Sequence, residues 1–201
     1  MIAGVVLAAG TSSRLGRGRP PPKQLLPLRG RPITQHVIDA AIDAGLDDVI
    51  VVLGHSAEAV RAGLELRPPA RAVVNPDFDA GQSSSLRAGL GALGDAARAA
   101  VFLLGDQPGI RAEAIRTVVE IYEETGGPVV RATYEKGRLG HPVLFDRRVW
   151  AELETVRGDR GARDLLAAHP EWIVQAEIPG QPPSDVDSWE DYERLVNPGG
   201  N

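Results

Sequence analysis

Hydrophobic residues along this chain fall into two alternating kinds of run, which predict the order of its strands and helices. Short, nearly continuous aliphatic runs predict buried strands, and longer segments with apolar residues three or four positions apart predict amphipathic helices. The predicted strands cover residues 2–7, 49–53, 72–74, 99–104, 129–133, 143–145 and 172–178. The predicted helices cover residues 33–44, 57–66, 86–93, 111–125, 147–156, 160–168 and 189–196. This alternation predicts an α/β protein with a parallel or mostly parallel sheet.

Length and composition narrow the classes of protein. The 201 residues show no internal repeat or linker, so we expect one domain over 1–201 with a frayed tail at 197–201. A net charge of −5 argues against a general nucleic-acid surface. The absence of cysteine excludes disulfides and thiolate catalysis. The apolar N-terminus lacks the preceding positive charge of a signal peptide, and no run has the length of a membrane span, so we expect a cytoplasmic protein with no membrane partner.

The loop after the first strand is a candidate phosphate site. It begins at Gly10, carries Ser12, Ser13 and Arg14, ends at Gly16, and is followed by Lys23. Glycine lets the backbone approach a ligand closely, and successive amides in such a turn bind anions. The loop lacks the Lys-Ser/Thr of a P-loop and the G-x-G-x-x-G spacing. An ordinary strand-to-loop turn is the alternative.

Polar segments follow other predicted strands. In open α/β sheets ligands bind outside the carboxyl ends of the strands, so we expect the first loop, the segment 81–85 and Asp106-Gln107-Pro108 to converge. An unpaired buried carboxylate at Asp106 is costly, and Mg²⁺ bound to one or two carboxylates and to phosphate offsets that cost. A helix N-cap is the alternative for Asp106.

A second carboxylate pair, Asp185 and Asp187, precedes the last helix. Side-chain alternation suggests that the two face opposite ways, so one of them would share a metal with Asp106, and we assign Asp187; a capping turn is the alternative. The segment from Gln82 to Ser85 and the residue Asn75 carry amide and hydroxyl groups. These groups could bind the base or ribose of a nucleotide, or could simply cap a helix or turn. In the last third, His141 stands between Gly140 and Pro142 in a predicted loop, and the segment 158–163 has arginines and glycine amides that suit an anion.

Together these motifs resemble those of the MobA-like nucleotidyltransferases. The first loop reads Leu7-Ala8-Ala9-Gly10-x-Ser12-x-Arg14-Leu15-Gly16 and is followed by Lys23-Gln24-Leu25-Leu26-Pro27-Leu28. The other motifs come in the family's order: Gly81-Gln82-Ser83-Ser84-Ser85-Leu86, Gly105-Asp106-Gln107-Pro108, Gly140-His141-Pro142, Gly158-Asp159-Arg160-Gly161-Ala162-Arg163 and Asp185-Val186-Asp187. Ala9 and the serine run look most like the molybdenum-cofactor cytidylyltransferase branch. One departure is that six residues, 17–22, separate Gly16 from Lys23, where the family usually has about two.

The resemblance implies a Rossmann-like three-layer nucleotidyltransferase fold, Mg²⁺, CTP or another NTP, and a phosphorylated pterin acceptor. A molybdoenzyme or its insertion chaperone is the implied protein partner. The same resemblance implies that Arg14, Lys23 and Asp106 are the catalytic residues. It also implies that Asp106 and Asp187 bind the metal ion. The implied nucleotide-binding residues are Leu7, Ala8, Ala9, Gly10, Ser12, Ser13, Arg14, Lys23, Asn75, Gln82, Ser83, Ser84 and Asp106. The implied acceptor-binding residues are Gln107, Pro108, Gly140, His141, Pro142 and Gly161.

Three other functions compete with this reading. The first is another nucleotidyltransferase, which acts on GTP or on a different phosphorylated acceptor. A glycosyltransferase shares the sheet topology but requires an Asp-x-Asp where this chain has Asp106-Gln107-Pro108. A non-catalytic nucleotide-binding chaperone would not need both the carboxylates and the cations.

Overall fold

A mixed β-sheet forms the centre of the structure, a computed structural model that describes residues 1–11 and 21–197. In the described residues it has seven strands: β1 (Ile2–Ala8), β2 (Asp48–Leu53), β3 (Ala70–Val74), β4 (Ala99–Leu104), β5 (Val129–Tyr134), β6 (Arg138–Asp146) and β7 (Ile173–Glu177). The spatial order is β3-β2-β1-β4-β6-β5-β7. β6 runs antiparallel to both of its neighbours, and the other pairs are parallel. The predicted α/β class with a mostly parallel sheet is confirmed.

Helices cover both faces of the sheet and complete three layers. They are α1 (Ile33–Asp43), α2 (Ala57–Gly63), α3 (Gln82–Gly91), α4 (Ala112–Thr125), α5 (Trp150–Thr155), α6 (Arg163–Ala168) and α7 (Trp189–Val196). α1, α2 and α4 share one apolar cluster with one face of the strands, whereas α3, α5 and α6 pack on the other face. Neighbouring strand residues therefore point to opposite layers: Val6 belongs to the first cluster and Val5 to the second. No helix in the described parts of the chain has the length and apolarity needed to cross a lipid bilayer.

Two predicted boundaries differ from the structure in ways that affect the site. The helix predicted from residue 86 begins at Gln82, because Gly81, with φ 92°, turns the chain directly into it. The serines 83–85 thus lie inside α3 rather than capping it. The segment 140–142, predicted as a loop, belongs to β6, which pairs with β4 and β5 along both edges.

The parallel register of β1 and β4 positions the site. Leu7 lies opposite Leu104, so the loops that begin at Ala9 and Gly105 leave the sheet side by side. α7 returns to the same edge, where a short hairpin of Pro27–Leu28 and Arg31–Pro32 lies beside it. A small apolar cluster joins the two: Leu26, Leu28, Ile33 and Val186, with Trp189, Tyr192 and Leu195 packed against them. The hydroxyl of Tyr192 also donates to the carbonyl of Pro27 at 2.6 Å.

Candidate active site

Lys23 lies between two carboxylates at the carboxyl edge of the sheet. Its Nζ donates to Oδ2 of Asp106 at 2.7 Å and to Oδ1 of Asp187 at 3.0 Å. The lysine side chain is 11% exposed, and the two aspartates are 25% and 45% exposed. The cluster brings together three sequence-predicted residues that are separated by up to 164 positions.

Burial and charge act in opposite directions on Lys23. Burial lowers its pKa, but the charge and hydrogen bonds of Asp106 and Asp187 outweigh that effect, and the net pKa is raised above the ordinary lysine value. Lys23 is therefore an ammonium ion at neutral pH, held by charge-assisted hydrogen bonds.

The backbone on either side of Asp106 is held by buried contacts. The hydroxyl of Thr34, at the start of α1, donates to the carbonyl of Gly105 at 2.8 Å. The amide of Val186 donates to the carbonyl of Asp106 at 3.0 Å. These two bonds link the end of β4 to α1 and to the segment before α7, so the position of the carboxylate does not depend on the β4 loop alone.

Asp187 is held by the N-terminus of α7. Ser188 and Asp191 form a capping box, in which each side chain bonds the other's backbone amide. Oδ2 of Asp191 accepts from the amide of Ser188 at 2.8 Å and also from the amide of Asp187 at 3.2 Å. Asp191 thus fixes the backbone that carries the Asp187 side chain toward Lys23.

Gln24 holds the loop that leaves β1. Its Nε2 donates to the carbonyl of Ala8 at 2.9 Å and to the carbonyl of Gly10 at 3.0 Å, and the residue is 4% exposed. Reasoning from the sequence gave Gln24 no role beyond its place in the family motif. Its signal was a polar residue inside the apolar stretch that follows Lys23.

Two cavities open at this edge of the sheet and share Leu7, Leu104 and Gln82 in their walls. The smaller, of about 330 Å³, is lined also by Ala9, Gly10, Thr11, Phe78, Asp79, Gly81, Ser85, Asp106 and Asp159. The larger, of about 520 Å³, contains Gln107, Gly140, His141, Gly161, Asp185 and Asp187 among its lining residues. Ala8, Lys23 and Asp106 line a third, narrow cavity of about 40 Å³ between the β1 and β4 loops.

Arginines form part of the wall of the larger cavity: Arg131, Arg138, Arg160 and Arg163. Burial, together with the charge of Arg163, lowers the pKa of Arg131. Burial, together with the charges of Arg131 and Arg163, lowers the pKa of His141 to about 4. His141 is therefore neutral at physiological pH and acts there as a hydrogen-bonding group rather than a cation.

Asp185 lines the same cavity as Asp187 but has a different partner. Its Oδ1 accepts from Nε2 of Gln107 at 2.7 Å. Burial raises the pKa of Asp185, the hydrogen bond from Gln107 opposes that rise, and the charges of Asp106 and Asp187 add to it. The structure therefore places Asp187, and not Asp185, against Lys23.

Several sequence-predicted binding residues lie away from the cavities. Asn75 is 2% exposed, and its Nδ2 donates to the hydroxyls of Ser84 at 2.8 Å and Ser85 at 3.1 Å, while its Oδ1 accepts from the amide of Asp77 at 3.0 Å. This network joins β3 to α3 and corrects the prediction that Asn75 binds nucleotide.

Ser83 and Ser84 need the same correction. They are 0% and 4% exposed, and the hydroxyl of Ser84 donates to the carbonyl of Gly81 at 2.8 Å. Because α3 begins at Gln82, the side chains that face the smaller cavity are Gln82 and Ser85, one helical turn apart. Ser85 belongs to the segment that the sequence offered for base or ribose contacts, although it is not among the nucleotide-binding residues implied by the resemblance.

On the acceptor side, Pro108 and Pro142 are buried and are not among the lining residues of either cavity, so their contact with the acceptor stays a prediction. Gln107, Gly140, His141 and Gly161 do line the larger cavity. The predicted phosphate-loop residues Ser12, Ser13 and Arg14 lie outside the described residues.

The donor chemistry at the sheet edge fits a divalent metal ion. Asp106 and Asp187 already direct carboxylate oxygens at one cation, the ammonium of Lys23. Across residues 1–11 and 21–197 no group of three or more histidine, cysteine or acidic side chains forms a fuller metal site. Two carboxylates completed by phosphate and water oxygens are the ligand set that Mg²⁺ favours.

Comparison with known proteins places the chain in one family of nucleotidyltransferases. Residues 4–172 match the model of the MobA-like NTP transferase domain. Nicotine blue oxidoreductase of Paenarthrobacter nicotinovorans is 37% identical over 97% of this chain and 96% of its own length. The bifunctional protein GlmU of Sorangium cellulosum is 32% identical over 83% of this chain, which spans about a third of the length (35%) of that protein.

Solved structures share the whole fold. Rv0371c from Mycobacterium tuberculosis H37Rv superimposes with a TM-score of 0.84 at 36% identity, over 98% of this chain and 97% of that one. The complex of the same protein with manganese gives a TM-score of 0.81 at 34% identity, over 98% of both chains. A nucleotidyl transferase from Methanothermobacter gives 0.79 at 25% identity, over 98% and 96% of the two chains. A divalent metal is thus bound within this group of proteins.

Proposed function

Because the chain belongs to the MobA-like NTP transferase family, we propose that it transfers CMP from CTP to the terminal phosphate of a molybdopterin-type acceptor and releases pyrophosphate. One observation carries the proposal. Two cavities of ligand size share Leu7, Leu104 and Gln82, and of the two carboxylates that bind Lys23, Asp106 lines the smaller cavity and Asp187 the larger. A two-substrate transfer requires this arrangement, with one pocket for each substrate and the charged groups between them.

The smaller cavity suits the nucleotide. The β1 loop, where we expect the phosphates, forms one end of it, and Gln24 holds the backbone of that loop at Ala8 and Gly10. Asp79 and Asp159 line the cavity with Gln82 and supply hydrogen-bond acceptors. Cytosine presents an exocyclic amine donor, which carboxylates accept. This lining supports CTP over a base without an exocyclic amine.

The larger cavity suits the acceptor. At about 520 Å³ it accommodates a fused-ring molecule with a phosphate arm, and Asp187 is part of its lining. His141 is neutral, and Gln107 is fixed by Asp185, so both present hydrogen-bonding groups without adding net charge. A phosphorylated heterocycle, as in a pterin, combines the shape and the charge that these walls complement.

The transfer depends on positioning and charge neutralisation. The acceptor phosphate is already anionic, so no general base is needed when it attacks the α-phosphorus in line and pyrophosphate leaves. Asp106 and Asp187 would hold Mg²⁺, which supplies positive charge to phosphate oxygens when bound. Gln24, Thr34 and Asp191 hold the backbone of the three segments that must stay aligned during attack.

We propose that the Lys23 side chain moves when the metal ion binds. It pairs with both carboxylates in the structure, where a divalent cation would compete with its ammonium group. Once released, the flexible side chain reaches the neighbouring β1 loop and contacts the triphosphate there. The same lysine then neutralises charge on the leaving pyrophosphate.

The test is a pyrophosphate-release assay with purified protein and Mg²⁺, in which CTP, GTP, ATP and UTP are each supplied with and without molybdopterin. We expect release that requires both CTP and the acceptor. Release with GTP alone among the nucleotides would replace the cytidylyl assignment with the guanylyl one. No release with any nucleotide, although CTP binds, would favour the non-catalytic chaperone.

A reductase is the second candidate, because the 37% identity to nicotine blue oxidoreductase extends over nearly the whole chain. Such an activity would place a reduced nicotinamide nucleotide in the smaller cavity and a planar heteroaromatic electron acceptor in the larger one. Loss of NADPH absorbance at 340 nm on addition of such a dye, with no pyrophosphate released from any NTP, would favour the reductase.

A further inference from the structure

Arg131 is a half-buried cation in the wall of the larger cavity, and no partner for it is described. It lies on β5 within an otherwise buried strand, and its Nε is shielded from water yet has no hydrogen-bond partner among residues 1–11 and 21–197. A buried donor without a partner destabilises the protein, and more so when it is charged. Such a group in a ligand cavity indicates a missing acceptor.

Its neighbours increase the excess of positive charge. Arg163, at the start of α6, lines the same wall and, within the part of the chain that the structure describes, forms no ion pair. Arg138 and Arg160 stand on this wall too, but they bond Gln181 at 2.5 Å and Asp164 at 2.9 Å. His141 adds no charge, because its pKa is lowered to about 4. Among the residues that the structure describes, Arg131 and Arg163 are therefore the two arginines of the wall whose guanidinium groups have neither an ion pair nor a hydrogen bond to a side chain.

We propose that Arg131 and Arg163 form a second anion site in the larger cavity, which binds an acidic group of the acceptor other than the phosphate that attacks the nucleotide. The proposal rests on the proposed function for the word acceptor, whereas the anion site itself is a property of the cavity. Guanidinium groups bind carboxylate, sulfate and phosphate oxygens in pairs, and two of them facing one space suit a doubly charged or bidentate group.

The sheet register sets the distance between the two acidic groups. Arg131 lies opposite Val143 on β6, and Val143 lies opposite Phe102 on β4. Arg131 is therefore two strand spacings from β4, about 9–10 Å. Asp106 follows Phe102 by four residues, beyond the strand end. Allowing for the length of the arginine side chain, the second acidic group lies on the order of 10 Å from the Asp106 carboxylate. The site therefore selects acceptors that carry two separated acidic groups.

Gln107 adds a polar requirement between the two anionic positions. Its Nε2 donates to Asp185, and its Oε1 is buried with no described partner. An acceptor that fills the cavity would satisfy it with an N–H or O–H donor. The resulting substrate class is a polyfunctional molecule with two acidic ends and a hydrogen-bond donor between them.

The direct test uses inorganic sulfate as the probe and the Nε–Hε resonances of ¹⁵N-labelled protein as the readout. Sulfate is titrated against chloride at constant ionic strength, without nucleotide or metal. We expect the Arg131 signal to shift saturably in the millimolar range, and Arg163→Gln to weaken the sulfate affinity at least tenfold. Arg157→Gln is the matched control, since it removes an exposed arginine that bonds only described backbone carbonyls. An Arg131 signal that does not saturate, or an equal affinity in Arg163→Gln, would overturn the site.

A stability measurement covers the case in which the arginine variants fold differently. Without sulfate, Arg131→Gln should unfold at a denaturant concentration equal to or above that of the wild type, because it removes a half-buried charge whose buried Nε has no described partner. Sulfate should stabilise the wild type and not the variant. Equal stabilisation of both would contradict the proposal. Since neither measurement involves nucleotide transfer, failure of the pyrophosphate assay leaves these outcomes unchanged.

Discussion

Lys23 and Asp106 are 83 positions apart in the sequence, and the ammonium nitrogen of the one lies 2.7 Å from a carboxylate oxygen of the other. Asp187 approaches the same nitrogen from a third segment at 3.0 Å. The lysine ammonium thus lies between the two carboxylates that we expect to bind Mg²⁺. The ammonium group and a divalent metal ion should therefore compete for these carboxylates.

Lys23→Met should bind Mn²⁺ more tightly than the wild type in the absence of nucleotide. The substitution removes the ammonium group, so the metal no longer has to displace two charge-assisted hydrogen bonds. We expect about a tenfold lower dissociation constant, the equivalent of about 1.4 kcal/mol, measured by the loss of the free Mn²⁺ signal in electron paramagnetic resonance.

Lys136→Met is the matched control for that measurement. It removes the same charge from an exposed position in the turn before β6 and should leave the Mn²⁺ affinity unchanged. If the two variants bind Mn²⁺ equally, Lys23 does not compete with the metal.

Asp106→Asn should reduce pyrophosphate release at least a hundredfold while the protein stays folded. The amide keeps the shape of the carboxylate but lacks its charge for Mg²⁺ or for Lys23. The carbonyl of residue 106 still accepts from Val186, so the backbone should hold its position. Asp43→Asn, at an exposed and distant carboxylate, is the control. Activity of Asp106→Asn near the wild-type level would contradict the metal assignment.

Asp191→Ala should lower activity by releasing the backbone that carries Asp187. It removes the acceptor that holds the amides of Asp187 and Ser188 and breaks the capping box, at a cost of about 1 kcal/mol of stability. Because Asp187 then lacks a fixed backbone, we expect weaker Mn²⁺ binding together with slower turnover. Glu193→Ala, an exposed carboxylate on the same helix, provides the comparison. If the variant loses stability but keeps its affinity for Mn²⁺, Asp191 acts only as a helix cap and the prediction is wrong.

His141 should make stability depend on pH in the acidic range. Its pKa in the folded protein is about 4, against 6.5 for an ordinary histidine, because burial and then Arg131 and Arg163 disfavour its charged form. The unfolded chain therefore takes up a proton first as pH falls. The folded state keeps its full stability above pH 6.5 and loses about 2 kcal/mol by pH 5 through this group.

The measurement is urea unfolding of the wild type and of His141→Gln at pH 7 and pH 5. The variant should lose less stability than the wild type over this interval, by about 2 kcal/mol, since both share all other titrating groups. Parallel losses in the two proteins would mean that His141 titrates normally.

Gly89 and Gly91 give opposite results on substitution although they lie in the same helix. A Cβ at Gly89 would stand 2.4 Å from Cγ1 of Val5 in the central strand, so Gly89→Ala should destabilise the protein by about 1–3 kcal/mol. A Cβ at Gly91 meets nothing within 4 Å, and Gly91→Ala should be neutral or stabilise by about 0.5 kcal/mol through helix propensity. Thermal unfolding compares the two, and a stabilised Gly89→Ala would mean that α3 can shift away from the sheet.

The sequence determined the class of fold because each strand has a continuous aliphatic pattern and each main helix an apolar face. The strand Ala99–Leu104 was predicted with its observed bounds for this reason, as was the helix Trp189–Val196. Those patterns result from burial on two faces or on one, which local residue order records directly. The strand ends, and hence the edge that carries the site, followed from the same patterns.

The sequence could not show which polar residues face a ligand. Asn75 and Ser84 are polar residues of the kind that bind ligands, but their side chains join β3 to α3, and Ser83 is fully buried. For Arg131 the sequence carries no sign of a binding role, because it is a single charged residue in a strand. Only the packing of β6 and α6 around it makes it a lining residue of the larger cavity.

Residue order alone thus established an α/β sheet with its polar loops at one edge, because backbone hydrogen bonding and apolar periodicity act over short stretches of chain. The tertiary structure decided that Lys23 is paired with Asp106 and Asp187, and that two arginines share a cavity without a described counter-ion. These facts depend on distances between segments far apart in sequence. Charge interactions depend on distance and burial, and no local pattern encodes either.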